Sequence, residues 1–166
     1  MAIRDIKIYP DPVLREQCAA VTEFGSDLQT LVSDMALTMY AASGIGLAAS
    51  QIGVVQRVAV VDVSSKQNER LIIVNPEIVW SQGSVPSEEG CLSIPDFRET
   101  IQRKEQIVLQ AQNETGKEFE LKASGILAIC IQHEVDHLNG VLFVDHLSRL
   151  KRDFFKKWHR KQLSEA

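Results

Sequence analysis

Apolar residues recur at helical spacing in three stretches of the chain and alternate with polar ones in several others. Leu28, Leu31, Val32, Met35, Ala36 and Met39 return every three or four positions, which predicts a long helix. Ser26 to Gln29 reads as its capping box, and the helix should end near Tyr40 to Ser43, before the glycines. Upstream, Asp11-Pro12 has the form of a helix start, followed by a short turn through Val13 and Leu14. Residues 58–63 and 71–74 are β-branched runs, the second closed by Asn75-Pro76, and residues 78–80 read as a further strand. Residues 107–112 and 118–121 alternate around Asn113-Glu114-Thr115-Gly116, the pattern of a hairpin. A second long helix runs from about residue 124 to 138 and stops at Asn139-Gly140. A third begins near Ser148, with Leu147, Leu150, Phe154 and Trp158 on one stripe. Helices and strands are segregated, so the fold class is α+β.

The chain has 166 residues, 45% of them hydrophobic and 24% charged, which suits a single domain over residues 1–166. Its net charge of −4 argues against DNA as a partner by bulk electrostatics. The longest strictly apolar run, residues 126–131, is too short to span a membrane. Arg4, Asp5 and Lys7 interrupt the first ten residues, which lack the apolar block of a secretory signal, so a cytoplasmic location is expected. Cys18, Cys91 and Cys130 are odd in number and widely spaced, which is not a disulfide framework.

The strongest chemical signal is His133-Glu134-Val135-Asp136-His137. Two histidines four apart on a helix lie one turn apart on the same face, so both imidazoles can reach one metal ion. Glu134 sits about 100° round the helix from His133, within reach of a water on that ion. The bland alternative is a solvated helix with incidental histidines. Against it, Ile126, Cys130, His133 and His137 are spaced four, three and four, which sets both imidazoles on an apolar stripe where they need partners. A catalytic metal site generally takes a third protein ligand and keeps an open position. The position six residues after His137, where some zinc peptidases have a third histidine, is Phe143. His146 lies beyond the Asn139-Gly140 stop. Cys91, in Glu89-Gly90-Cys91-Leu92-Ser93, is the best placed, although an isolated cysteine is ordinarily a core thiol. That ordinary reading is given to Cys18, and to Cys130 as part of a pocket wall. The Gly44-Ile45-Gly46 segment follows no strand and completes no dinucleotide fingerprint, so a Rossmann reading is rejected.

Three segments in this order, GIGLAASQ (44–51), EGCLS (89–93) and QHEVDH (132–137), resemble the peptide deformylase family, and the resemblance extends from the Asp11-Pro12 turn to the last helix. It implies small mixed or antiparallel sheets packed around a central metal-binding helix, with a C-terminal helix. It implies one divalent metal ion on Cys91, His133 and His137, with water in the fourth position. Fe(II) is the ion expected in cells; zinc, nickel or cobalt can take the same donors. Glu134 is then the general base and acid, and the Gln51 side chain and Leu92 backbone N–H stabilise the oxyanion. The implied substrate is the N-formylmethionyl end of a nascent peptide. It would lie extended along the backbone near Gly44, Ile45 and Gly46 and near Glu89 and Gly90. Ile45, Ile126, Ile129, Cys130 and the His133 ring would wall the methionine slot, and Arg98 would help to hold the peptide or else be a solvated surface arginine. Ser43 departs from the Pro or acidic residue of many relatives. The stretch between Gln51 and Glu89 is short, as in the type common in Gram-negative bacteria.

The third helix, residues 148–164, adds a charge signal. From Arg149 to Lys161 there are seven basic residues and one acid, against 11 basic and 21 acidic residues elsewhere. A charge run is usually a solvated face. Here the resemblance implies recruitment to the ribosome near the exit tunnel through this helix, by contact with RNA phosphates or protein. Two other readings compete: a general zinc endopeptidase, and a ribosome-binding module in which the metal is structural.

Overall fold

The computed structural model describes residues 2–165. Three α-helices, α1 (Ser26–Ala41), α2 (Gly125–Leu138) and α3 (Arg149–Glu165), accompany seven strands. The strands are β1 (Gly46–Ala48), β2 (Val58–Val61), β3 (Leu71–Gln82), β4 (Val85–Cys91), β5 (Ile94–Arg103), β6 (Gln106–Gln112) and β7 (Glu118–Ser124). Five form an antiparallel sheet in the order β1-β2-β3-β6-β7, and β4 and β5 form a separate two-stranded sheet. The expected α+β class is what the chain adopts.

Strand periodicity explains how one short strand serves two cores. Successive side chains of β2 point to opposite faces, and all four are buried. Val58 and Val60 meet Leu31, Met35 and Met39 of α1. Ala59 and Val61 meet Ala128, Ile131, Val135 and Leu138 of α2. α2 therefore packs on one sheet face and α1 on the other. A third core joins the β4–β5 hairpin to Leu14, Leu142, Phe143, Val144 and Phe155.

Several expectations hold and several are corrected. Asp11 caps a short 3-10 turn, Pro12–Arg15, by accepting from the Val13 N–H at 3.0 Å. The residues after Asn113 turn as expected, with the Asn113 N–H donating to the Lys117 carbonyl. Gly140, after α2, has φ +74, and a Cβ there would strike the Arg15 carbonyl, so the helix stop requires glycine. The capping box at Ser26 does not form: the N-cap is Gly25, Ser26 is the first helical residue, and no side chain caps the turn. Asn75-Pro76 does not end a strand. β3 runs through it with a register shift, Asn75 at φ +51, and the Asn75 side chain holds both backbone groups of Val21. The segment leading to Cys91, which the sequence pattern assigned to no strand, is one arm of the β4–β5 hairpin. The stripe assigned to the third helix holds at its ends, with Leu147 buried and Trp158 packed on the third core, and fails between them: Phe155 is buried, while Leu150 and Phe154 are 81% and 65% exposed. The aromatic surface offered by Tyr9 and Phe97 selects Phe155.

Candidate metal centre and groove

α2 carries Cys130, His133, Glu134 and His137 on one side. The two histidines bring their Nε2 atoms to 3.2 Å from each other. Cys91, at the end of β4, sets its Sγ 3.3 Å from His137 Nε2. The three donor atoms lie within 4.8 Å of one another. This is the convergence expected of a helix pair and a distant thiol.

A buried network fixes the donors. His133 Nδ1–H donates to Glu89 Oε1 at 3.0 Å, which leaves the Nε2 lone pair facing Cys91 and His137. Arg103 makes a bidentate pair with Glu89, both bonds at 2.8 Å, and its Nη1 donates to Asp136 at 2.7 Å. His146 Nε2 reaches the same Asp136 oxygen at 2.8 Å. Burial opposes a charge on Glu89, but Arg103 and His133 outweigh it and bring its pKa down to about 2. Glu89 is therefore an anion that can only accept from His133. Burial also opposes a charge on His133, yet Cys91, Glu89 and Glu134 outweigh it and raise its pKa well above the ordinary value. Burial and then the charges of His133 and Arg103 push His137 well below it.

These groups fit a divalent cation. The donors are one sulfur and two imidazole nitrogens within 4.8 Å of one another, a set that suits several first-row metals. Beside them, Glu134 is 3% exposed and its Oε1 lacks a hydrogen-bond partner among the described residues. Burial raises the Glu134 pKa to about 7, against the pull of His133 and Arg103.

The centre opens into a groove of about 1000 Å³. One side is the segment 43–46, leading into edge strand β1; the other is β4, whose only strand partner among the described residues is β5. Gly46 lets the backbone pass over the carboxylate: a Cβ there would collide with Glu134 Oε2 and come within 2.9 Å of Cys130 Sγ. Gln51 is 1% exposed; its Oε1 accepts from the Ala48 N–H at 3.0 Å, and its Nε2 faces Ser93 Oγ (3.1 Å) and Cys91 Sγ (3.6 Å). Leu92 lies in the turn between β4 and β5 and lines the groove, as do Gly44, Ile45 and Gly90. Ile126, Ile129 and Cys130 line the wall formed by α2, with Ile126 at the exposed rim. The Ile45 carbonyl is already used, accepting from Asp62 N–H at 2.8 Å and from Cys130 Sγ at 3.4 Å.

Two sequence-named residues stand apart. His137, 1% exposed, is behind His133 and does not line the groove. Arg98 lines it, but its guanidinium is paired with Glu88 at 3.2 Å. Sequence reading missed Arg103 and Asp136, which hold Glu89, and Phe143, whose ring stacks against His133 at 6.2 Å. The available signal was charge: a buried carboxylate beside glycine and cysteine requires a basic partner elsewhere.

A family model described as polypeptide deformylase matches residues 3–153. The peptide deformylase of Thermodesulfovibrio yellowstonii is 50% identical over 159 residues, covering 95% of this chain and 96% of that protein. The crystal structure of a peptide deformylase from Legionella pneumophila superposes with a TM-score of 0.90 at 48% identity, covering 98% of each chain. A peptide deformylase from Ehrlichia chaffeensis in complex with actinonin gives 0.91 at 38% identity, again over 98% of each chain. With the thiol, the two imidazoles and the buried carboxylate assembled in one groove, these likenesses show that the chain belongs to the polypeptide deformylase family.

Proposed function

We propose that the protein removes the formyl group from N-terminal formylmethionine of newly made peptides, releasing formate. The observation that carries this reading is the juxtaposition of Cys91, His133 and His137 with the buried, unpartnered oxygen of Glu134, at the floor of a groove between two strand edges. A divalent ion held by those three residues, Fe(II) in the cell, supplies the positive charge that acidifies water and polarises the formyl carbonyl. Glu134 takes the proton of the attacking water and delivers it to the departing amine. A carboxyl with a pKa near 7 can do both. The Gln51 Nε2–H, held in place by the Ala48 N–H on the other end of its amide, donates to the developing oxyanion together with the Leu92 N–H.

The peptide pairs with backbone groups of the 44–46 segment and of β4 near Glu89 and Gly90, as an added strand. Such pairing reads the main chain, so side chains after methionine matter little. Ile126, Ile129, Cys130, Ile45 and the His133 ring enclose the methionine side chain, and Arg98 guards the outer end of the groove. The basic surface of α3 contacts the ribosome in the cytoplasm. Phe143 speaks against the endopeptidase reading: it packs on His133 at the position where a third histidine would follow.

Metal analysis and a formyl-Met-Ala hydrolysis assay, on protein prepared without oxygen, test the proposal. One metal per chain and stoichiometric formate are expected. A metal-loaded protein that cleaves internal peptide bonds and releases no formate would overturn it.

A further inference from the structure

Among the described residues, the β4–β5 sheet has two strands and no third. Such a hairpin is marginal by itself and takes its position from what packs behind it. Behind it lies α3. Phe155 is 1% exposed and is the buried side chain of that helix among the described residues. Its ring meets Phe97 of β5 edge-on at 4.7 Å, and the Trp158 ring lies 5.0 Å from the same Phe97. Tyr9 closes the far side, 5.3 Å from Phe155. A polar tie runs alongside: Lys151 Nζ is 3.2 Å from Glu99 Oε1 and 3.3 Å from the Thr100 carbonyl of β5. Phe97 also lines the groove. One aromatic side chain therefore stands between the groove and the terminal helix.

We infer that α3 is a strut for the groove, with Phe155 and Trp158 acting through Phe97 as positioning residues for peptide binding. Both lie beyond Asp153, where the family match ends. The helix thus has two working faces. The aromatic face sets the wall along which the peptide pairs; the basic face looks outward. The inference rests on the proposed use of the groove for formylated peptides.

The test compares the full-length, metal-loaded chain with Phe155→Ala on formyl-Met-Ala-Ser and on formyl-methioninamide, which does not extend along β4. The expected result is a rise in KM of roughly five- to tenfold for the tripeptide, with kcat little changed and metal content intact. The short substrate should change by less than about twofold. Amide hydrogen exchange should quicken in residues 85–103 and stay unchanged in β2 and β3. Phe155→Leu should recover most of the tripeptide KM. If Phe155→Ala does not fold, Trp158→Leu is read in the same way. Equal effects on both substrates, or unchanged exchange in the hairpin, would overturn the strut. If the unsubstituted chain releases no formate, the functional reading fails, and the exchange measurement still decides this one.

Discussion

Glu134 is a carboxyl group placed where its ionised form is costly, and that placement makes it useful. Glu134→Gln keeps the shape and removes the titratable oxygen. It should retain one metal per chain and lower kcat about 10²- to 10⁴-fold, checked by metal analysis beside formate release. Parallel loss of metal and turnover would leave the general-base role unsupported. Tyr40 gives a cleaner pH prediction. Burial, with the hydrogen bond to Asp62 at 2.6 Å, raises its pKa to about 12. Its folded-state pKa lies above the ordinary value of 10.0, so the stability it contributes is complete below pH 10.0 and disappears as pH rises through about 12. Tyr40→Phe should flatten stability across that alkaline window, measured by denaturant unfolding at several pH values. Asp62 in turn donates its N–H to the Ile45 carbonyl, so the same variant should loosen one side of the groove.

At the scale of elements, the proposed metal donors come from α2 and from the β4–β5 hairpin, and Arg103 ties the two together through Glu89 and Asp136. Arg103→Ala should cost about 3–5 kcal/mol because it strands the buried Glu89 charge. Asp136→Asn weakens the clamp without leaving a bare charge, and should speed metal loss to a chelator on the order of tenfold. Both effects are measurable apart from turnover. The legible parts of the site were those written locally. His133, Glu134 and His137 share one helical turn, and the spacing that sets Cys130 beside them marked the buried part of that face, although Ile126 at the start of the stripe is exposed. Cys91 was reachable as the best placed of three thiols and through the EGCLS resemblance, not from local pattern, because nothing local says that a hairpin folds over a helix about 40 residues later. Arg103 and Asp136 were illegible for the same reason: their pairing depends on the packing of β5 on α2. On α3, adjacent Phe154 and Phe155 are equivalent by periodicity within one residue, and only the partner ring of Phe97 chooses between them.

Across the whole molecule, charge is sorted. The acidic body carries one basic element, on which Lys156, Lys157, Arg160 and Lys161 are exposed while Lys151 ties the helix to β5. Charge reversal at Lys156, Lys157 and Arg160 should weaken ribosome co-sedimentation in a salt-dependent way while turnover of a free formyl-peptide stays unchanged. Metal removal should act on the whole fold as well as on activity. A ligand that binds only the native state stabilises it by mass action, so chelation should lower Tm by on the order of 10 °C, read by calorimetry. On the proposed function, an ion held by Cys91, His133 and His137 would sit where α2 and the two-stranded flap of the β4–β5 hairpin meet, and would join them as well as serve the reaction. A cell starved of that metal would hold copies whose flap hangs loose and whose interior proteases can enter. Scarcity would then clear idle molecules from the pool instead of letting them accumulate beside working ones.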